Sequence, residues 1–225
     1  MNDRLIGRAG FLGIVGVGVA GLFYGRQAQD VLGRILPNGI DAIVPTNGWR
    51  IYTIGNGMPD LRPADYRLAV GGLVERPGSF TLAELRALPA AGQISDFHCV
   101  TGWTVNDVHW TGVRLQHVLE TVQPRAAAHA IRFVSAEPGY HDSLTLDQAR
   151  LPDVMLAYDM DGAPLSRPHG GPIRLVIPDM YGYKNVKWVS RIELLPRPAP
   201  GYWEQHGYDA DAWVGRSNGY GGFRS

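Results

Sequence analysis

Glycine occupies 29 of the 225 positions and proline 16. Glycine weakens a helix or strand interior, and proline breaks it. A chain punctuated this densely cannot be a bundle of long helices. It has to fold from short elements joined by many turns, strand-rich or mixed. An apolar share of 45% supplies one domain with a real core and leaves room for a short appendage, not a second large domain. Charge is sparse and balanced, 21 basic against 21 acidic residues. That excludes the basic surface a nucleic-acid scaffold needs for counterion release and the one-signed composition of a disordered tail protein. A single cysteine, Cys99, excludes an internal disulfide and a zinc site built on several thiolates.

No charge interrupts residues 9–24. As a helix the run would be about 24 Å long, against a hydrocarbon thickness of about 30 Å. It reads as a short membrane span or the core of an export signal. Arg4 and Arg8 before it favour a cytoplasmic N-terminus and an extracytoplasmic domain, a bias that Arg26 and Arg34 weaken. Residues 7–12 are similar to a twin-arginine export signal with Ala9 in place of the second arginine. The chain therefore divides into an anchor or signal over 1–26, a linker over 27–46, a folded domain over 47–198, and an aromatic, glycine-rich tail over 199–225.

Within the domain, Tyr66, Leu68 and Val70 alternate as in a strand that stops at Gly71 and Gly72. Thr81 with Glu84, and Thr145 with Gln148, match capping boxes that open helices. Leu115, Val118, Leu119 and Val122 predict an amphipathic helix ended by Pro124. Ile131 and Phe133, residues 173–177, and the alternation from Val186 through Trp188, Ser190 and Ile192 to Leu194 predict further strands. Strands and helices intermix without a βαβ rhythm, so the fold class is α+β.

The chemistry concentrates in two places. Cys99 has three readings: a small buried hydrophobe, a nucleophile with one of the 7 histidines as base, or a soft thiolate on a metal whose other ligands belong to an organic dithiolene. The second place is the pair of segments 169–174 and 181–188. His169, Gly170, Gly171 and Arg174 lie in the first; Lys184, Asn185 and Lys187 lie in the second, and these are the chain's only lysines. Glycines let backbone approach a ligand, arginine forks onto phosphate, and lysines add point charge. Taken singly, the glycines also read as a turn and the lysines as a solvated loop.

Taken together and in order, the segments change the reading. They are 66–78, the cysteine segment 95–103, 110–115, 161–165, 171–178, 181–188 and 201–208. Over most of residues 50–208 the chain resembles the sulfite oxidase-like molybdopterin oxidoreductases, a family that includes the catalytic subunit of the periplasmic methionine sulfoxide reductase. The resemblance implies a single mixed α+β molybdopterin-binding domain with Mo-molybdopterin as cofactor and Cys99 as thiolate ligand of molybdenum. It further implies cofactor contacts at Arg50, Tyr52, Thr53, Ser135, His169, Asn185, Val186 and Lys187, with Arg174 at the phosphate end. Trp103 and Tyr158 are candidates beside Cys99 at the reacting centre, and His109 and His141 stand in reserve; His109 reads equally well as a core histidine.

The implied reaction is oxygen-atom transfer, with molybdenum cycling between Mo(VI) and Mo(IV). Eukaryotic-type sulfite oxidases follow the ligand cysteine with an arginine-containing stretch, whereas Cys99 is followed by Val100, Thr101, Gly102 and Trp103. That departure shifts the expected substrate from sulfite to a neutral sulfoxide or another small oxo-compound. The chain ends too soon for the family's immunoglobulin-like dimerisation domain, so a monomeric catalytic subunit is expected. No Cys-x-x-Cys-His haem motif occurs; electrons are expected from a membrane haem protein or quinone-linked partner, with the domain anchored on the periplasmic side. A Cys–His hydrolase and a cofactor-free, membrane-tethered binding domain are the competing functions.

Overall fold

The computed structural model describes residues 48–55 and 57–216. The expected membrane run, the linker and residues 217–225 lie outside the described residues. Among the described residues no helix is long and apolar enough to cross a membrane.

The chain runs β1 (Arg67–Gly72), β2 (Gly78–Thr81), α1 (Leu82–Ala87), β3 (Ala90–His98), β4 (Thr104–Arg114), α2 (Leu115–Val122), β5 (Ala130–Ser135), β6 (His141–Thr145), α3 (Leu146–Ala149), β7 (Met155–Met160), β8 (Ala163–Pro164), β9 (Arg174–Val176) and β10 (Val189–Leu195). One sheet has the order β2-β1-β10-β5-β6. The other has the order β3-β4-β7-β8, with β9 also paired to β7. All pairings are antiparallel except β1 with β10. This is the mixed, sheet-dominated α+β domain expected.

Local signals explain most element ends. Both capping boxes form: Thr81 and Thr145 each cap the backbone three residues on, and Glu84 and Gln148 reach back. All four apolar positions of α2 are buried, at roughly 1.5–3 kcal/mol each as an upper bound. β1 ends where expected because Gly72, at φ +79, lies so close to β10 that a Cβ would stand 2.2 Å from the Leu194 carbonyl oxygen.

The second sheet separates two apolar clusters. Val113, Leu156 and Leu175 face the main core, which they share with Leu68, Ile131, Phe133 and Ile192 of the first sheet and with α2. Trp110, Met155, Ala157 and Val176 face a smaller cluster with Trp49 and Phe97. Strands alternate sides residue by residue, so Arg174 emerges on the Val176 side, towards the smaller, aromatic cluster.

Two expected strands are shorter in the structure. The run 173–177 pairs only over β9, and the alternation from Val186 becomes strand only at Val189. Trp188 adopts φ +51, and the β10 register shifts between Val189 and Arg191. Residues 186–188 are therefore a loop, and Val186, Trp188 and Val189 are all buried. The described part of the tail folds back on the domain. Trp203, Tyr208 and Trp213 pack on the main core, and Trp213 bridges Met180.

Candidate active site

Cys99 opens the connection between β3 and β4. Its backbone N–H donates to the Trp103 carbonyl at 2.9 Å, and the Gly102 N–H donates to the Cys99 carbonyl at 3.0 Å. The loop is thus closed by its own backbone, which fixes the thiol at the strand ends. Cys99 is half-buried, with Thr101 Oγ1 3.2 Å from its sulfur.

The thiol faces a cavity of about 320 Å³, at the lower end of the usual range for small-molecule sites. Six pieces of chain wall it: the cysteine loop, residues 49–54, the β5–β6 turn at Glu137 and Tyr140, the loop at Pro168 and His169, the loop ending in Asn185 and Lys187, and Trp203 with Tyr208 of the tail. Arg174 lines it as well.

Arg174 is 2% exposed. Its Nη1 donates to the His169 carbonyl at 3.1 Å, and its guanidinium carbon lies 5.0 Å from the Trp110 ring centre and 5.2 Å from that of Phe97. Its Nε is buried without a partner, and no carboxylate pairs with it among the described residues. Burial lowers its pKa to about 9. A guanidinium desolvated against aromatic rings and lacking a counter-ion has the chemistry of an anion receptor.

The neighbouring polar groups fit such a ligand. His169 is packed against Trp49 with ring centres 4.9 Å apart, and its Nδ1 is buried without a partner. Burial, then the charges of Arg174 and Lys187, push its pKa down to about 3, so the ring is neutral. Trp103 Nε1 is also unpartnered. Lys187 donates to the Tyr52 carbonyl at 2.7 Å and lies 4.1 Å from the Trp188 ring centre; burial, then Arg174, lowers its pKa to about 7. The backbone comes close because residue 171 is glycine: a Cβ there would stand 2.2 Å from the Leu165 carbonyl oxygen.

Of the residues expected from sequence, Cys99, Trp103, Arg50, Tyr52, Thr53, His169, Arg174, Asn185 and Lys187 line this cavity. Four others do not. Ser135 lies behind it, its hydroxyl donating to the Lys187 carbonyl at 2.8 Å and accepting from the Glu137 N–H at 3.0 Å. Val186 points into the main core. Tyr158 belongs to that core as well, with the Arg86 guanidinium 4.2 Å from its ring centre. The reserve histidines are also elsewhere: His109 is exposed on β4, and His141 lies outside the lining. Lys184 is no ligand point charge either. It is buried in ion pairs with Asp142, at 2.6 Å, and with Glu204, and so ties β6 to the tail. Asn185 spends its side chain on the loop, accepting from the Ile177 N–H at 2.6 Å and donating to the Met180 carbonyl at 3.2 Å.

Sequence reasoning missed Trp49, Tyr140 and Glu137 in the lining. No motif marks these residues, because their partners lie far away in sequence. For the hydrolase reading, the hydrogen-bond partner of the Cys99 sulfur among the described residues is Thr101, not a histidine. His98 is engaged with Thr104 Oγ1 at 3.0 Å, and His169 is too weak a base. Among the described residues no three His, Cys, Asp or Glu side chains gather as a metal site. A lone thiolate suits a metal that its cofactor already holds.

Similarity to known proteins places the chain in a family. The model of the oxidoreductase molybdopterin binding domain matches residues 55–203. The chain is 31% identical over 204 residues to the uncharacterized oxidoreductase YuiH of Bacillus subtilis, covering 85% of this chain and 96% of that protein. It is 29% identical to the protein-methionine-sulfoxide reductase catalytic subunit MsrP of Ralstonia nicotianae, over 74% of this chain and 56% of that one. It is 30% identical to the sulfite oxidase of Arabidopsis thaliana, over 64% and 45%. The crystal structure of the sulfane dehydrogenase SoxCD from Paracoccus pantotrophus superposes with a TM-score of 0.61 at 26% identity, over 65% of this chain and 42% of that chain. The chain thus spans nearly all of the Bacillus protein and about half of the other three. It belongs to the sulfite oxidase-like family of oxidoreductases built on a molybdopterin-binding domain, and is an enzyme of that type.

Proposed function

We propose that this enzyme carries out oxygen-atom transfer at molybdenum held by molybdopterin, with Cys99 as the protein's thiolate ligand and a small neutral sulfoxide as oxygen donor. One observation carries the reading: a thiol and a buried, anion-seeking guanidinium, Arg174, wall the same cavity. A ligand with a metal at one end and a phosphate at the other satisfies both. When bound, the cofactor supplies the two-electron couple and the acceptor for the oxygen atom. The protein's own groups bind and orient it. Arg174 meets the phosphate, the free Nδ1 of His169 and Nε1 of Trp103 supply hydrogen bonds, and Lys187 adds positive charge. Trp49, Phe97, Trp203 and Tyr208 exclude water, which strengthens each of these contacts.

In the net reaction the sulfoxide gives up its oxygen as water, taking two electrons and two protons, and becomes a thioether. A neutral donor suits the walls next to Cys99, where Val100, Thr101 and Trp103 bring no cation. Sulfite oxidation is the second reading, favoured by Arg50, which lies exposed in the lining. The uncharged run 9–24 supports a membrane-anchored domain on the extracytoplasmic side, fed by a haem or quinone-linked partner. The test is reduction of methionine sulfoxide by viologen assayed beside oxidation of sulfite, on the same cofactor-loaded protein. The proposal expects sulfoxide turnover to dominate and to vanish in Cys99→Ser. Dominant sulfite turnover, or full activity in the serine variant, overturns it.

A further inference from the structure

Residues 50–54 line one wall of the cavity, and side chains hold the segment 50–55 in place. Among the described residues, three hydrogen bonds tie this segment to the rest of the molecule. Lys187 Nζ donates to the Tyr52 carbonyl at 2.7 Å. The Ile54 and Gly55 N–H groups both donate to Oε1 of Glu137, at 2.5 and 3.1 Å. Glu137 is 3% exposed and, among the described residues, is the one acidic side chain in the cavity lining. A carboxylate is costly to bury unless its charge is used, and here one oxygen accepts two amides from a segment 83 residues away.

Glu137 is itself anchored to the ligand-facing loops. Its N–H donates to Ser135 Oγ, which in turn donates to the Lys187 carbonyl. The next residue up the chain, Ala136, donates its N–H to the Trp188 carbonyl at 2.7 Å, and the Tyr140 N–H closes the turn on the Glu137 carbonyl at 3.2 Å. The 50–55 wall, the β5–β6 turn and the lysine loop are therefore one hydrogen-bonded unit, with Glu137 at its centre.

We propose that Glu137 is a positioning residue: its Oε1 clamps the Ile54 and Gly55 amides and thereby holds the 50–55 wall against the cofactor. This rests on the cofactor reading of the cavity. The clamp governs retention of the cofactor and takes no part in the chemistry. Glutamine keeps a carbonyl oxygen at the same reach, so it preserves both hydrogen bonds; alanine loses both.

The test has two arms on the full-length chain. In the cofactor-free protein, amide exchange is followed at Ile54 and Gly55, with Phe133 and Ile192 of the β5–β10 ladder as reference. Glu137→Ala should speed exchange at the two wall amides about ten-fold or more and leave the ladder unchanged, and Glu137→Gln should restore the wild-type rate. In the loaded protein, molybdenum loss during gel filtration should be about ten-fold faster in the alanine variant and normal in the glutamine variant. Unchanged exchange in the alanine variant, acceleration shared with the ladder, glutamine behaving as alanine, or equal metal retention would each overturn the clamp. Wild-type protein that takes up no molybdenum defeats the cofactor reading instead, and the exchange arm distinguishes the two failures.

Discussion

Replacing Arg174 by methionine should make the cofactor-free protein more stable while emptying it of cofactor. The guanidinium is wholly buried, and its pKa of about 9 lies three to four decades below the ordinary arginine value. At about 1.4 kcal/mol per decade, the buried charge costs the folded chain on the order of 5 kcal/mol at neutral pH. Methionine removes that cost and fills similar space along the aromatic wall. It also gives up the bond to the His169 carbonyl, about 2 kcal/mol for a charged donor, and the contacts with the Trp110 and Phe97 rings, about 2 kcal/mol together. The remainder is a gain of about 1 kcal/mol, or roughly 2–4 °C in Tm for a chain of this size. Thermal unfolding of cofactor-free wild type and Arg174→Met measures it, and elemental analysis of the same proteins from a cofactor-competent host should find molybdenum only in wild type. A variant that melts several degrees lower, or that retains molybdenum, would refute the idea of a guanidinium held ready for an anion at the fold's expense.

Two further substitutions probe the groups around it. Lys184→Met leaves Asp142 and Glu204 buried without their cation and should cost about 3–5 kcal/mol in urea denaturation; a loss under 1 kcal/mol would show that the ion pairs do not hold the tail. His169 supplies a pH signature. Burial keeps it neutral in the fold down to about pH 3, whereas unfolded histidine takes up its proton below about 6.5. Its contribution is level above about pH 6.5 and is lost at about 1.4 kcal/mol per pH unit as pH falls towards 3. His169→Gln should remove this one-proton slope from denaturation midpoints measured between pH 6 and pH 4.5, and an unchanged slope would contradict the burial argument.

The sequence disclosed what depends on neighbours close along the chain. Thr81 with Glu84, and Thr145 with Gln148, carry their partners three residues away, so both helix starts were legible. So was α2, whose period puts Leu115, Val118, Leu119 and Val122 on one face. β7 was not, because Leu156 faces one apolar cluster while Met155 and Ala157 face the other; a strand buried on both sides shows no alternation. β3 escaped for the opposite reason: it is an edge strand with Ile94 61% exposed, so its pattern carries little burial signal. In the site, the two lysines are chemically alike and three residues apart, yet Lys184 is taken by Asp142 and Glu204 while Lys187 meets the cavity. That outcome depends on side chains brought in from β6 and the tail. Glu137 was invisible because its partners are backbone amides, which leave no mark in side-chain identity. Of the residues named from the sequence, Cys99, His169, Arg174 and Lys187 line one cavity, whereas Tyr158 lies on the main-core side of the second sheet.

On the proposed function, one sulfur atom, that of Cys99, joins this chain to molybdenum. This link is tested most directly by molybdenum content per chain, measured for the wild type and Cys99→Ser expressed in a host that makes the cofactor. About one molybdenum per wild-type chain is expected, with little or none in the serine variant and similar unfolding temperatures for the two cofactor-free proteins. A wild-type chain without molybdenum, or a serine variant that holds as much as wild type, would contradict it.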